Sequence, residues 1–253
     1  DMPDWFVPNN SGDKLLKVNN EDNNSVFINR IRRNGTSTYS GRDKELRLQS
    51  LKECWIHLTN SCNLRCNHCM FTSSPNSKDE LSLEDALSVV DQSLNLGSEI
   101  FYFTGGEPLV SKKLFPSLEK IFNSDSTHVV ILSNLLLLSK HLQKLESFPK
   151  DRLHFQVSID GLEKTHDDQR GKGTFDKLVK NISLLKDASF PCTLAMTVTQ
   201  RNVNEMTRLV EFAHKLDIQN IHFMWLFKKG MADDSLFVET NTIVPQLKEA
   251  YIE

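Results

Sequence analysis

The chain of 253 residues is informative first for what it lacks. No apolar run approaches the roughly 18 residues that cross a bilayer, so no helical membrane span is expected. The opening DMPDWFVPNN has neither the basic segment nor the apolar core of a secretory signal, and the expected location is cytoplasmic. Neither sign of charge dominates: 30 Lys and Arg face 33 Asp and Glu, for a net charge of −3. That balance gives no global attraction to nucleic acid or to an anionic membrane, and neither is an expected partner. No G-x-G-x-x-G follows the first candidate strand, which removes the main support for a dinucleotide-binding sheet. No internal repeat is visible beyond a βα unit. Cysteine is scarce too, with five in all, and three of them fall within eight residues. They form no even disulfide framework, and in a reducing compartment such a cluster reads as metal-binding.

What is present divides the chain into three parts. Residues 1–50 are polar, with VNNEDNNS and RRNGTSTYSGRD between short apolar pieces, and read as an extension that caps the core or meets a substrate. Arg30, Arg32, Arg33, Arg42, Lys44 and Arg47 make it locally basic, either as a solvated arm or as a contact surface for an acidic peptide or a phosphate. Residues 51–232 change texture and form the expected core. Strands are predicted at 54–59, 100–104, 128–133, 153–159, 193–199 and 221–227, all rich in β-branched or aromatic residues. Helices are predicted at Ser82–Leu96, Leu114–Asn123, Ser139–Ser147, Thr174–Ala188 and Asn204–Leu216 from their apolar spacing. Residues 233–253 read as a helix from Thr242, or as a linker toward a further domain. Alternation of strand and helix implies an α/β fold with parallel pairing, and six units suggest a partial (βα)6 TIM-like barrel.

Cys62, Cys66 and Cys69 lie in LTNSCNLRCNHCMF. Soft sulfur ligands suit zinc or an iron–sulfur cluster. The C-x3-C-x2-C spacing differs from the ferredoxin run, which carries its fourth cysteine along. Three thiolates on a four-iron cluster leave one iron open to another ligand. A zinc site completed by His57 or His68 is the alternative, and it would be a scaffold rather than an enzyme. Cys54 and Cys192, the remaining two, read as buried free thiols.

CNLRCNHC resembles the signature of the radical S-adenosylmethionine (radical SAM) superfamily. The resemblance implies a [4Fe–4S] cluster on the three cysteines, its fourth iron chelated by the amino and carboxylate groups of S-adenosylmethionine. TGGEP, Thr104–Pro108, resembles the family's glycine-rich motif: Gly105 and Gly106 would admit the cosubstrate to the backbone and Glu107 would accept from its ammonium. VSIDG resembles the fourth-strand element, which would place Ser158 and Asp160 near the ribose. HDDQRGKG resembles the H-D-x-x-R-G segment of peptide-modifying members and would direct Arg170 to the cosubstrate carboxylate. The third-strand motif usually reads Thr/Ser-Asn-Gly, and Asn134 keeps its place while Leu135 stands where the glycine belongs. His68 holds a position that is usually aromatic, where it would shield the cluster or hydrogen-bond a sulfide.

Position supports the grouping independently. Catalytic groups of parallel barrels sit at the C-terminal ends of the strands. The cysteine loop, TGGEP, Ser133 and Asn134, Ser158 and Asp160, and Thr199 with Gln200 all follow predicted strands in turn. The implied reaction begins with an electron from a low-potential donor of the flavodoxin or ferredoxin type. Cleavage of the cosubstrate then yields a 5′-deoxyadenosyl radical that abstracts hydrogen from a substrate. The motif set is most similar to the SPASM branch, so the expected substrate is a ribosomal peptide or protein, with a tetrapyrrole or other small molecule as the alternative. Relatives of that branch continue into a cysteine-rich domain, and such a C-terminal part is expected here.

Overall fold

The computed structural model describes residues 51–252, so the polar extension and its basic stretch lie outside the described residues. Six strands form the core sheet: β1 (Glu53–His57), β2 (Ile100–Thr104), β3 (His128–Ser133), β4 (Leu153–Ser158), β5 (Cys192–Val198) and β6 (Ile221–Trp225). All pair in parallel with their sequence neighbours, in the order β1-β2-β3-β4-β5-β6. The order never reverses. A doubly wound sheet would switch direction and bury both faces under helices, whereas one unbroken winding puts every right-handed crossover on the same face. With β1 and β6 unpaired to each other, the result is a half-barrel.

Side-chain alternation confirms which face is which. Ile56, Phe103, Ile131, Phe155, Leu194 and Met196 point to the helical layer and are buried. The alternate positions carry Trp55, Tyr102, His154, Gln156 and Thr193 beside the smaller apolar Val130 and Ala195. On the inner face Trp55 stacks on Tyr102 at 4.0 Å, and His154 Nε2 lies 2.9 Å from the Thr193 hydroxyl.

The helices are α1 (Leu83–Asn95), α2 (Leu114–Phe122), α3 (Leu138–Leu145), α4 (Glu163–Arg170), α5 (Thr174–Asp187), α6 (Met206–Lys215) and α7 (Thr240–Ile252). Their buried faces carry Ala86 and Val90, Leu114, Leu118 and Ile121, Leu178, Ile182 and Leu185, and Met206, Leu209 and Ala213. Ser82 caps α1, its hydroxyl accepting from Asp85 N at 3.0 Å. Helix α4 is a correction, since no helix was expected in the H-D-x-x-R-G segment. EKTHDDQR has no apolar period, and its buried positions are the polar His166 and Gln169. After β6, Leu236, Val238, Ile243 and Ala250 are buried, and the last three join the same core, so this stretch packs as part of the unit. No helix among the described residues is long and apolar enough to cross a membrane.

Candidate active site

One cavity opens at the C-terminal ends of the strands, and all three clustered cysteines line it. Gly105 and Gly106 after β2, Ser133 and Asn134 at β3, Ser158 at β4, Thr197 on β5 and Arg170 from α4 line the same cavity. The sequence-predicted residues thus converge, with informative exceptions. Glu107 and Asp160 are buried behind the wall rather than lining it. Thr199 is fully buried and bonded to Gln169 at 3.1 Å, while Gln200 points to solvent.

The cysteine loop, which leaves β1 at Leu58, is held by backbone contact with the turn after β2. Gly106 N donates to Thr59 O and Glu107 N to Ser61 O at 3.0 Å. A Cβ on Gly105 would meet Thr59 O at 2.5 Å, and one on Gly106 would meet Ser61 O at 2.3 Å. Gly105 also has φ +150, a conformation that disfavours any side chain. The two glycines therefore serve the loop itself: any Cβ there would push it out of place.

Beneath the glycines Glu107 accepts three hydrogen bonds, from Leu109 N (3.1 Å), Ser133 Oγ (2.8 Å) and Asn134 N (2.8 Å). Burial pushes its carboxyl up, against the pull of these donors. Oε2 carries one of the three bonds and retains acceptor capacity. Asn134 extends the chain of contacts, its side-chain amide donating to Asn63 Oδ1 in the cysteine loop at 2.8 Å. The next residue, Leu135, adopts φ +63, the left-handed region that favours glycine.

Two backbone amides face the sulfurs: Leu64 N to Cys62 Sγ at 3.4 Å and Ser73 N to Cys69 Sγ at 3.3 Å. Burial nonetheless pushes the Cys62 thiol up to about 12 and raises that of Cys66. Such thiols do not ionise by themselves at neutral pH; a cationic metal centre would supply the missing stabilisation. Among the described residues no three His, Cys, Asp or Glu are grouped tightly enough for a single metal ion. A polynuclear cluster spreads its ligands further apart. Two buried polar atoms on the cavity wall, His68 Nδ1 and Ser73 Oγ, have no hydrogen-bond partner among the described residues, as expected where a group from outside completes the site. The donor set fits a cysteine-ligated cluster.

Sequence reasoning missed the network around Asp160. Its Oδ2 accepts from Arg170 Nε at 2.5 Å and from His68 Nε2 at 3.0 Å, and its Oδ1 from Thr197 N at 3.0 Å. Burial alone would raise the Asp160 carboxyl, but Arg170 and His68 hold it far below the usual carboxylate range. Burial opposes the Arg170 charge in the same way, and the Asp160 carboxylate overrides it. His166 Nδ1 accepts from Asp160 N at 3.2 Å, and Gln169 and Asn202 donate to Asp160 O at 3.0 and 3.3 Å. Asp167 caps the start of α5 by accepting from Gly173 N and from Phe175 N at 2.9 Å. The H-D-x-x-R-G residues thus form one structural unit, and the signal was the spacing of its polar residues along a helix.

The comparisons agree with this geometry. A family model described as the radical SAM superfamily matches residues 56–213. An AdoMet-dependent heme synthase of Methanosarcina barkeri is 34% identical over 70% of this chain and 51% of its own length. The sporulation killing factor maturation protein SkfB of Bacillus subtilis is 35% identical over 62% of this chain and 38% of its own. Among solved structures, Streptococcus suis SuiB bound to S-adenosylmethionine has TM-score 0.69 at 17% identity, covering 81% of this chain and 47% of that one. SuiB is also solved bound to the precursor peptide SuiA. The chain spans about half the length of these relatives or less. With three cysteines, a glycine turn and a half-barrel meeting at one cavity, and a family model covering most of the barrel, the chain belongs to the radical SAM superfamily.

Proposed function

We propose that this chain reductively cleaves S-adenosylmethionine and uses the radical to abstract hydrogen from a ribosomal peptide or protein side chain. The observation that carries it is one cavity lined by all three cysteines together with the glycine turn, Ser158 and Arg170. Cys62, Cys66 and Cys69 would hold the [4Fe–4S] cluster. Bound there, cluster and cosubstrate supply one-electron cleavage of the C5′–S bond and a 5′-deoxyadenosyl radical. The chain's own groups bind and orient. Gly105 and Gly106 would present backbone to the methionine part, Glu107 Oε2 would accept from the ammonium, and Ser158 would meet the ribose. Arg170 would clamp the carboxylate: only its Nε bonds to protein among the described residues, which leaves the terminal nitrogens for a ligand. Asn134 supports the cysteine loop from the side.

A peptide substrate is favoured by the rim. Met70, Phe71, Met224, Trp225 and Phe227 line the mouth and are exposed, a concentration of adaptable apolar side chains suited to a peptide. The SkfB similarity points the same way. A tetrapyrrole is the second reading, carried by the 34% identity to the heme synthase. A cytoplasmic location and a flavodoxin- or ferredoxin-type donor follow from the low-potential chemistry. The proposed organisation is an extension over residues 1–50, then a core over 51–232 against which the stretch from 233 packs, leading to a cysteine-rich part. Anaerobic reconstitution with iron and sulfide, then dithionite and S-adenosylmethionine, should release 5′-deoxyadenosine. Replacing all three cysteines with alanine should remove both the charge-transfer absorbance and this product, and no product from the wild-type chain refutes the reading.

A further inference from the structure

A single carboxylate oxygen joins two parts of the cavity wall that the sequence keeps about a hundred residues apart. Asp160 Oδ2 accepts from His68 Nε2 at 3.0 Å and from Arg170 Nε at 2.5 Å, and Asp160 is fully buried. His68 belongs to the cysteine loop, between Cys66 and Cys69, and Arg170 ends α4. The preceding residue ties the same two segments again: Asn67 N donates to Gln169 O at 3.1 Å and Asn67 Nδ2 to Asp168 O at 3.0 Å. Asp160 itself cannot drift. Its backbone N–H is fixed on His166 and its carbonyl on Gln169 and Asn202, and its second oxygen is held by Thr197 N on β5.

We propose that Asp160 is a positioning residue that fixes the cysteine loop, through His68, to the guanidinium of Arg170, so that cluster ligands and cosubstrate clamp are set in one frame. The proposal rests on the cavity being the S-adenosylmethionine site and revises one expected contact, for Asp160 then acts on the cosubstrate through its neighbours rather than at the ribose. The physical reason is geometric. A planar guanidinium recognises a carboxylate well only when its plane is fixed, and Nε bonded to Asp160 fixes that plane while leaving the outer fork open. His68 on the same oxygen makes the position of that fork depend on where the cysteine loop sits. Displacement of the loop would therefore turn the clamp.

The test measures S-adenosylmethionine affinity by anaerobic equilibrium dialysis on the reconstituted full chain, with iron per chain determined on each sample. His68→Phe keeps a planar aromatic ring but loses the donor, and should retain iron while weakening binding about tenfold, the scale of one hydrogen bond to a charged group. His68→Gln keeps an N–H donor and should restore most of the affinity. In an Asp160→Asn background, His68→Phe should change affinity little further, since the shared anchor is already gone. Should Asp160→Asn not fold, the two His68 variants decide alone. Wild-type affinity in His68→Phe overturns the proposal, as does loss of iron in both His68 variants, which would make the residue a holder of the cluster. Failure of the wild-type chain to bind S-adenosylmethionine overturns the functional reading and this inference together. Normal wild-type binding with unaffected variants overturns the inference alone.

Discussion

Met231 donates its backbone N–H to the carbonyl of Cys69 at 2.9 Å, so the loop after the last strand is bonded to the loop after the first. A six-strand sheet that stops short of closure leaves β1 and β6 as edges. On the rim, this contact bridges them above the cavity.

The bridge depends on Gly230. It has φ +69, and a Cβ there would lie 2.4 Å from both Cys69 O and Met70 O. Gly230→Ala therefore adds a left-handed penalty of about 1–2 kcal/mol to a clash with backbone that cannot rotate away. The expected outcome is lower iron retention after reconstitution together with a lower Tm. An alanine variant with wild-type iron and Tm would show that the two loops separate freely.

Glu107→Gln tests the buried carboxylate. All three protein partners of Glu107 are donors, so the new amide nitrogen must face one of them. Loss of the charge should weaken S-adenosylmethionine binding by about 1.5–3 kcal/mol if Oε2 accepts from the ammonium. Unchanged affinity would remove Glu107 from the cosubstrate contacts and leave it a support for the turn around Asn134.

Much of this was legible in the chain itself. Each strand lies within two residues of its expected place because β-branched and aromatic runs such as HVVILS have no competing helical period. The cavity residues were also legible, since strand ends in a parallel barrel share one rim. What stayed hidden was held by hydrogen bonds rather than by apolar pattern. Helix α4 packs through His166 and Gln169, and no hydrophobic spacing announces it. Ser158 and Asp160 look equivalent in VSIDG, yet β4 ends at Ser158, and two residues later the chain has turned away from the cavity toward α4. The pairing of His68 with Asp160 joins positions 92 apart, and only the fold brings them together.

His166 gives a pH dependence with a defined sign. Burial, with Arg170 close by, pushes its pKa down to about 4. Its folded value thus lies below the unfolded one of about 6.5, and the neutral ring is the native form. The contribution is fully present above pH about 6.5 and is lost as pH falls toward 4, at up to about 1.4 kcal/mol per pH unit. Protonating Nδ1 would also break the bond from Asp160 N. Chemical denaturation between pH 7 and pH 4.5 should show this decline, with a shallower slope in His166→Asn. Equal slopes in the two proteins would show that His166 titrates normally in the fold.

Leu135 sets packing against backbone strain. Its side chain is fully buried in the core, and its φ is +63. Deleting a buried leucine side chain costs about 2–5 kcal/mol. Leaving the left-handed region to a residue without Cβ recovers about 1–2 kcal/mol. Packing wins, so Leu135→Gly should be less stable than the wild-type chain. Leu135→Ala loses most of the packing and keeps the strain. It should therefore fall below Leu135→Gly by about 1 kcal/mol, reversing the usual preference for alanine over glycine. The neighbouring bonds of Asn134 to Glu107 and Asn63 need only the same backbone turn, which glycine adopts freely, so iron content should survive in Leu135→Gly. Urea unfolding of the two variants reads the strain directly as the difference between them. If alanine proves the more stable, the leucine is not strained and the turn owes its shape to Asn181, whose side-chain amide donates to Leu135 O at 2.9 Å.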